Sequence, residues 1–363
     1  MRLLIIEDTK ESVKGIMDFA NKASWEMQCE DFTDAEAKIR EFAPDIVVLD
    51  WMFDVEEAEK GKQILETIWE NNFIPIIIFS ALASTITLDE KYLENPLISL
   101  ISKGDEEPVV EKLKEWEKYT PAIKNLRDDM NKALITSLRT IEIFNASEFP
   151  GDDVVKYMLT KRTANYFDKD FEGTNPPAWI QYIYPAMSDT FLVCDVLRKV
   201  SSEADHAKEG EVDEYSVILT PSCDIVNDNT PQLLVASCEC KEKYCNIELG
   251  ARENITSGKG KEKVEDMEKN LNRGHVGAKV ALPKLSGILP YLTIDLKKVQ
   301  LILKEKTALS RKTIIPGTHE YYRVASIDSP FREQIVWAHM LNSCRPGMPD
   351  RDTVKWAEEI LAR

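Results

Sequence analysis

PDIVVLD, Pro44 to Asp50, places four apolar residues, Ile46, Val47, Val48 and Leu49, in an unbroken run that stops at an aspartate. A short β-branched run of this kind suits a strand buried on both faces, as in a parallel sheet. The carboxylate of Asp50 then sits at the strand's C-terminal end, the edge where open α/β sheets bind ligands. Asp is also a common turn residue after strands. The stretch alone leaves both readings of Asp50 open.

Three other stretches tip the balance. LLIIED gives a strand over Leu3 to Ile6 followed by Glu7 and Asp8. IPIIIFS gives Ile76 to Phe79 followed by Ser80, and LISLISK gives Leu97 to Ile101 followed shortly by Lys103. Helical segments separate them, and alternating strand and helix calls for a parallel sheet. Right-handed crossovers bring the strand ends to one edge. Glu7, Asp8 and Asp50 then form a cluster of three carboxylates, which at neutral pH calls for a cation. Hard oxygen donors with room for retained waters suit Mg²⁺.

This constellation resembles the receiver domain of bacterial two-component response regulators, the CheY-like family. The match covers roughly the first third of the chain. It comprises the acidic pair after strand 1, the aspartate after strand 3, Ser80 after strand 4 and Lys103 after strand 5. The resemblance implies a doubly wound, five-stranded parallel sheet of order 2-1-3-4-5. It makes Asp50 the acceptor of a phosphoryl group from a histidine kinase. Glu7, Asp8 and Asp50 would hold Mg²⁺, helped by the backbone carbonyl of Met52. Ser80 would bond a phosphoryl oxygen and Lys103 would pair with it. Two positions depart from the family pattern. Leu100 stands where a Tyr or Phe is usual, and Gly104 stands where a proline usually follows the lysine. The first departure removes the aromatic switch through which such domains ordinarily signal.

The chain has 363 residues, 43% apolar and 30% charged, which fits a soluble globular protein of two or three domains. No signal peptide is evident. No apolar run approaches the roughly 20 residues that cross a bilayer, so a cytoplasmic location without membrane attachment is expected. The net charge of −17 is unevenly placed. Residues 1–120 hold 13 basic and 27 acidic groups, and the remainder 33 and 36. The remainder shows no basic stripe and no helix-turn-helix, which argues against DNA as a partner. The seven cysteines should be reduced in such a compartment.

The domain reading is a receiver over 1–120, a linker helix over 121–147 and an α+β module over 148–363. Helices are expected over Glu11 to Lys22, after a capping box of Thr33 and Glu36, and over Lys62 to Asn71, with Asp54 to Gly61 as a loop over the site edge. In the linker, Ile123, Leu126, Met130, Leu134, Ser137 and Ile141 recur at helical spacing. That face serves either for packing or as a seam through which a second copy would make a homodimer. The last module alternates turn-rich stretches with strand-like runs such as FLVCDVL, YSVILTPSCD, VQLILK and YYRVASI, and closes on two helical patterns. A polar gap over Ala251 to Lys263 reads as a loop.

Two features of this module carry potential chemistry. Cys223, in TPSCDI, is either a nucleophile needing a histidine or part of a Ser-Cys-Asp turn. Cys223, Cys238, Cys240 and Cys245 would supply four thiolates to zinc, although C-x-C is tighter than the usual knuckle. Arg345 and Asp350 would clamp the turn RPGMPDRD. No phosphate-binding or metalloprotease motif is present. The module thus reads as an interaction surface for an unknown downstream protein in a phosphorelay. The competing reading is a phosphorylation-switched enzyme centred on Cys223 or on zinc.

Overall fold

The computed structural model describes residues 1–33, 35–51, 55–71, 74–81, 83–93, 95–138, 151–167, 175–200, 211–244, 259–344 and 351–362. The chain divides into two compact units, Met1–Asp170 and Phe171–Arg363.

In the first unit the elements run β1 (Arg2–Ile6), α1 (Lys14–Lys22), β2 (Glu26–Glu30), α2 (Ala35–Phe42), β3 (Ile46–Leu49) and α3 (Val55–Asn71). They continue with β4 (Ile76–Ser80), α4 (Glu90–Leu93), β5 (Ile98–Ser102), α5 (Glu107–Glu117), α6 (Thr120–Leu138) and α7 (Asp152–Phe167). The five strands are all parallel, in the order β2-β1-β3-β4-β5. All four β3 side chains are buried. Alternation sends Val47 and Leu49 into the core on one face and Ile46 and Val48 into the core on the other. Burying each is worth roughly 1.5–3 kcal/mol, so a polar residue on β3 is costly on either face.

Several expectations are corrected. Residues 55–61 are helical, because Glu, Ala and Lys are strong helix formers. A Cβ on Gly61 would lie 3.4 Å from the Trp51 ring and 3.6 Å from the Asp50 carbonyl, so this glycine lets α3 approach the end of β3. Glu36 does not close a capping box; its carboxylate accepts from Thr67 Oγ1 at 3.2 Å, tying α2 to α3. The linker helix is described to Leu138 and packs on α7 within the first unit, with Ser137 and Thr163 hydroxyls 3.4 Å apart. That second helix, over Asp152–Phe167, was not expected from the sequence. Residues 139–147, with Ile141, lie outside the described residues, as do Met52, Cys245 and the proposed Arg345–Asp350 clamp.

The second unit comprises β6 (Tyr182–Ile183), β7 (Val196–Lys199), β8 (Tyr215–Ile218), α8 (Ser222–Val226), β9 (Gln232–Cys240) and α9 (Lys259–Arg273). It ends with β10 (Lys279–Leu282), β11 (Leu292–Leu303), β12 (Thr307–Ala308), β13 (Tyr321–Ile327), α10 (Phe331–Ser343) and α11 (Thr353–Leu361). The sheet runs β10-β11-β9-β8-β7-β13-β12, with β6 paired to β13, and is antiparallel except between β12 and β13. The strand-like runs ILPYLTIDL and VQLILK, which read as separate in sequence, share one strand, β11, because a bulge between Ile294 and Val299 absorbs the polar IDLKK step. The later part of the expected polar loop, from Lys259, is α9.

Where β7 and β13 pair, Arg323 and Asp195 form a buried ion pair at 3.2 Å. Asp195 also accepts from Ser326 Oγ at 2.6 Å and from the Leu192 amide at 2.9 Å. Burial pushes its pKa up despite the arginine. Arg323 further donates to the carbonyls of Ser188, Thr190 and Leu309, so its charge is shared with the loop that enters β7.

Candidate functional site

The ladder of the parallel sheet continues past the strand ends and fixes the site backbone. The Glu7 amide donates to Glu30 O, the Asp50 amide to Ile6 O and the Lys103 amide to Ser80 O, each at 2.9 Å. Four residues distant in sequence are thereby held at one edge. Carboxylate oxygens of Glu7, Asp8 and Asp50 lie within 4.8 Å of one another. Lys103 Nζ reaches in to 2.7 Å from Glu7 Oε2 and 2.9 Å from Asp50 Oδ1. Glu7 and Asp50 are buried and Asp8 is exposed. The cluster therefore has a floor and an open side.

Strand order and carboxylate cluster agree: 2-1-3-4-5 is the doubly wound order, and the acidic site lies at its C-terminal edge, as CheY-type sheets place it. The first unit has the receiver fold. No protein-family model and no curated protein matches the chain. Among solved structures, the chain is similar to the N-terminal domain of a response regulator/sensory box/GGDEF protein from Carboxydothermus hydrogenoformans. The identity is 18% over 34% of this chain and 98% of that one, with a TM-score of 0.28. It is also similar to the receiver domain of a putative Luxo repressor from Vibrio parahaemolyticus, at 18% identity over 35% and 94%, TM-score 0.28. The Vibrio cholerae chemotaxis protein CheY4 is 18% identical over 31% and 96%, with a TM-score of 0.24.

The electrostatics of the receiver site reflect crowded like charges. Burial, reinforced by the Asp50 charge, raises the Glu7 pKa against the pull of Lys103. Asp8 is held below the usual carboxylate range by hydrogen bonding with the Glu7 carboxyl and with Thr9. Burial opposes the Lys103 charge, yet its bonds to Glu7 and Asp50 outweigh this and hold its pKa up. One lysine does not neutralise three carboxylates. Glu7 Oε2 is buried and faces the Lys103 ammonium at 2.7 Å. A cluster of hard oxygens with excess negative charge fits a divalent cation such as Mg²⁺.

The Ser80 hydroxyl donates to Trp51 O at 3.0 Å, which links the end of β4 to the residue after Asp50. Leu100 lies in β5, half-buried against the cluster of Ile78 and Tyr92. The Gly104 departure has a backbone reason. Its φ is +131°, which proline, fixed near −65°, cannot adopt. Two supporting residues were not legible in the sequence. Thr9 donates its amide to Glu7 Oε1 and its hydroxyl to Asp8 Oδ1, both at 3.1 Å. Glu106 accepts from the Ile16 amide at 2.8 Å and so anchors α1 to the loop that carries Lys103. A threonine after an acidic pair is a weak local signal, and a contact across 90 residues leaves none.

In the second unit Cys238 and Cys240 lie on β9, Cys223 lies on α8, and Cys245 is outside the described residues. Among the described residues, no group of three metal-ligating side chains includes a cysteine. Cys238 is buried and burial pushes its thiol far up; Cys240 is half-buried; Cys223 is exposed. Among the described residues, Cys223 makes no side-chain hydrogen bond to a histidine. Ser222 beside it accepts the Val193 amide on its Oγ at 3.0 Å.

Proposed function

We propose that the protein accepts a phosphoryl group on Asp50 from a histidine kinase and that the unit from Phe171 onward serves as an interaction module in the relay. The observation that carries this reading is the convergence of Glu7, Asp8 and Asp50 with Lys103 at 2.9 Å from the acceptor oxygen. An Asp50 carboxylate oxygen attacks phosphorus, the O–P bond forms and the donor's N–P bond breaks, leaving the kinase histidine to regain a proton. Glu7, Asp8 and Asp50 would hold a magnesium ion, whose charge offsets that of the phosphoryl oxygens. Lys103 gives up part of its pairing with Asp50 to follow the new negative charge. Ser80 turns its hydroxyl from Trp51 O to a phosphoryl oxygen.

Incubation with a small phosphodonor and Mg²⁺, read by intact mass, is expected to add one phosphoryl group to the wild type and none to Asp50→Asn. Equal labelling of both overturns the assignment. Asp8→Asn, at an exposed position, is expected to keep the fold while weakening Mg²⁺ binding. Retention of signalling output in Cys223→Ala, with output lost in Asp50→Asn, weighs for an interaction module and against a cysteine enzyme. The near-balanced charge of residues 121–363 supports a protein rather than DNA as the downstream partner.

A further inference from the structure

The last described helix of the second unit, α11, has no packing partner among the described residues. Every residue of α11 is exposed, including Val354 at 70%, Ile360 at 71% and Leu361 at 81%. Yet the helix is well specified. Asp352 caps it, its side chain accepting the Lys355 amide at 3.0 Å. Val354, Trp356, Ala357, Ile360 and Leu361 fall on one half of its circumference, with Lys355, Glu358 and Glu359 on the other. A nine-residue helix is marginal in water by itself and takes its stability from burying such a face.

A matching surface lies in the same unit. A cleft of about 650 Å³ runs between the end of α9, the turn at His275–Gly277 and the C-terminal half of α10. Its floor is apolar: Trp337, Met340 and Leu341, which are 59%, 51% and 39% exposed. Arg273 borders it and has no ion-pair partner among the described residues. The Asn342 amide, also on the rim, is already satisfied by the carbonyls of Gly277 and Ala338. Glu358 and Glu359 border the two sides of the α11 stripe, and among the described residues neither has an ion-pair partner. An apolar ridge edged with carboxylates and an apolar trough edged with a guanidinium are thus complementary in charge.

We infer that α11 of one copy docks in the α9–α10 cleft of a second copy, and the reverse, giving a dimer by reciprocal helix exchange. Within one chain no residue of α11 lines the cleft. Two copies related by a two-fold axis fill both clefts. Reciprocity also doubles the buried area, which lets so short a helix approach the roughly 1,200 Å² of a stable interface. The exchange involves no residue of the receiver unit, so it stands or falls separately from phosphoryl transfer at Asp50.

Cys344 lies in the cleft and provides a reporter. The full-length chain carrying Ala357→Cys, in a Cys223→Ser background, is treated with a short bis-maleimide. A covalent dimer is expected, and none when Cys344→Ser is added. A link within one chain overturns the exchange, because α11 then docks on its own cleft. In sedimentation velocity the wild type is expected to be a dimer and Ile360→Asp a monomer with unchanged melting of the single chain. Arg273→Glu is expected to weaken dimerisation roughly tenfold, and adding Glu358→Arg and Glu359→Arg to restore it. A monomeric wild type, or a dimer indifferent to Ile360→Asp, overturns the proposal.

Discussion

The Ser80 hydroxyl donates to the carbonyl of Trp51 across 3.0 Å, so the end of β4 is pinned to the residue that follows Asp50. Ser80 is buried, and removing its hydroxyl leaves that carbonyl without this donor. Ser80→Ala is expected to cost about 1 kcal/mol in urea unfolding. Phosphoryl uptake on Asp50 should persist, because the attacking carboxylate is untouched. A variant as stable as the wild type would show that the bond contributes nothing.

Lys103 is the counter-charge for two buried carboxylates, Glu7 and Asp50. Lys103→Ala leaves them facing each other unneutralised, at a cost of about 3 kcal/mol in metal-free buffer. Mg²⁺ should stabilise this variant more than the wild type, since it restores positive charge where the ammonium was lost. Urea midpoints with and without Mg²⁺ measure both effects. An equal gain in the two proteins would move the metal away from Glu7 and Asp50.

In the second unit Lys279 bridges Glu239 at 2.5 Å and Asp295 at 2.6 Å. Its hydrogen bond holds Glu239 below the usual carboxylate range. Burial opposes ionisation of Asp295 and of Lys279, but their hydrogen bonding outweighs it, lowering the one pKa and raising the other. Depressed carboxylate values mean stability that is present above the unfolded values near 4 and lost as pH falls through the folded ones. Lys279→Met is therefore expected to cost about 2 kcal/mol at neutral pH. The gap to the wild type should narrow as the pH is lowered through the carboxylate range. A gap independent of pH would remove the ion pairs from the account.

Leu100 is half-buried in β5, in the place that family resemblance gives to a switching ring. A leucine rotamer change moves less buried area than an aromatic ring, so the population shift it transmits is smaller. With beryllofluoride and Mg²⁺ on Asp50, hydrogen exchange should change around Ser80 and Lys103 and stay nearly constant between Leu192 and Ile327. Broad protection in that range would reveal a strongly switched effector instead.

The first unit was legible because its information is local. Each strand is a short apolar run, and each site residue sits directly behind one, so strand order alone assembles Glu7, Asp8, Asp50, Ser80 and Lys103. What the sequence hid depends on partners far along the chain. The role of Glu106 requires its contact with Ile16, and the fit of Gly61 requires Trp51 beside it. The bulge that merges two apparent strands into β11 exists only because β9 runs alongside. In the second unit the burial of Cys238 and the exposure of Cys223 are set by which side of the sheet or helix each occupies. Sequence determined the strands and the chemistry at their ends. Tertiary structure decided which charges meet, which glycines are required and which apolar faces remain uncovered, because those depend on packing between elements that no local pattern encodes.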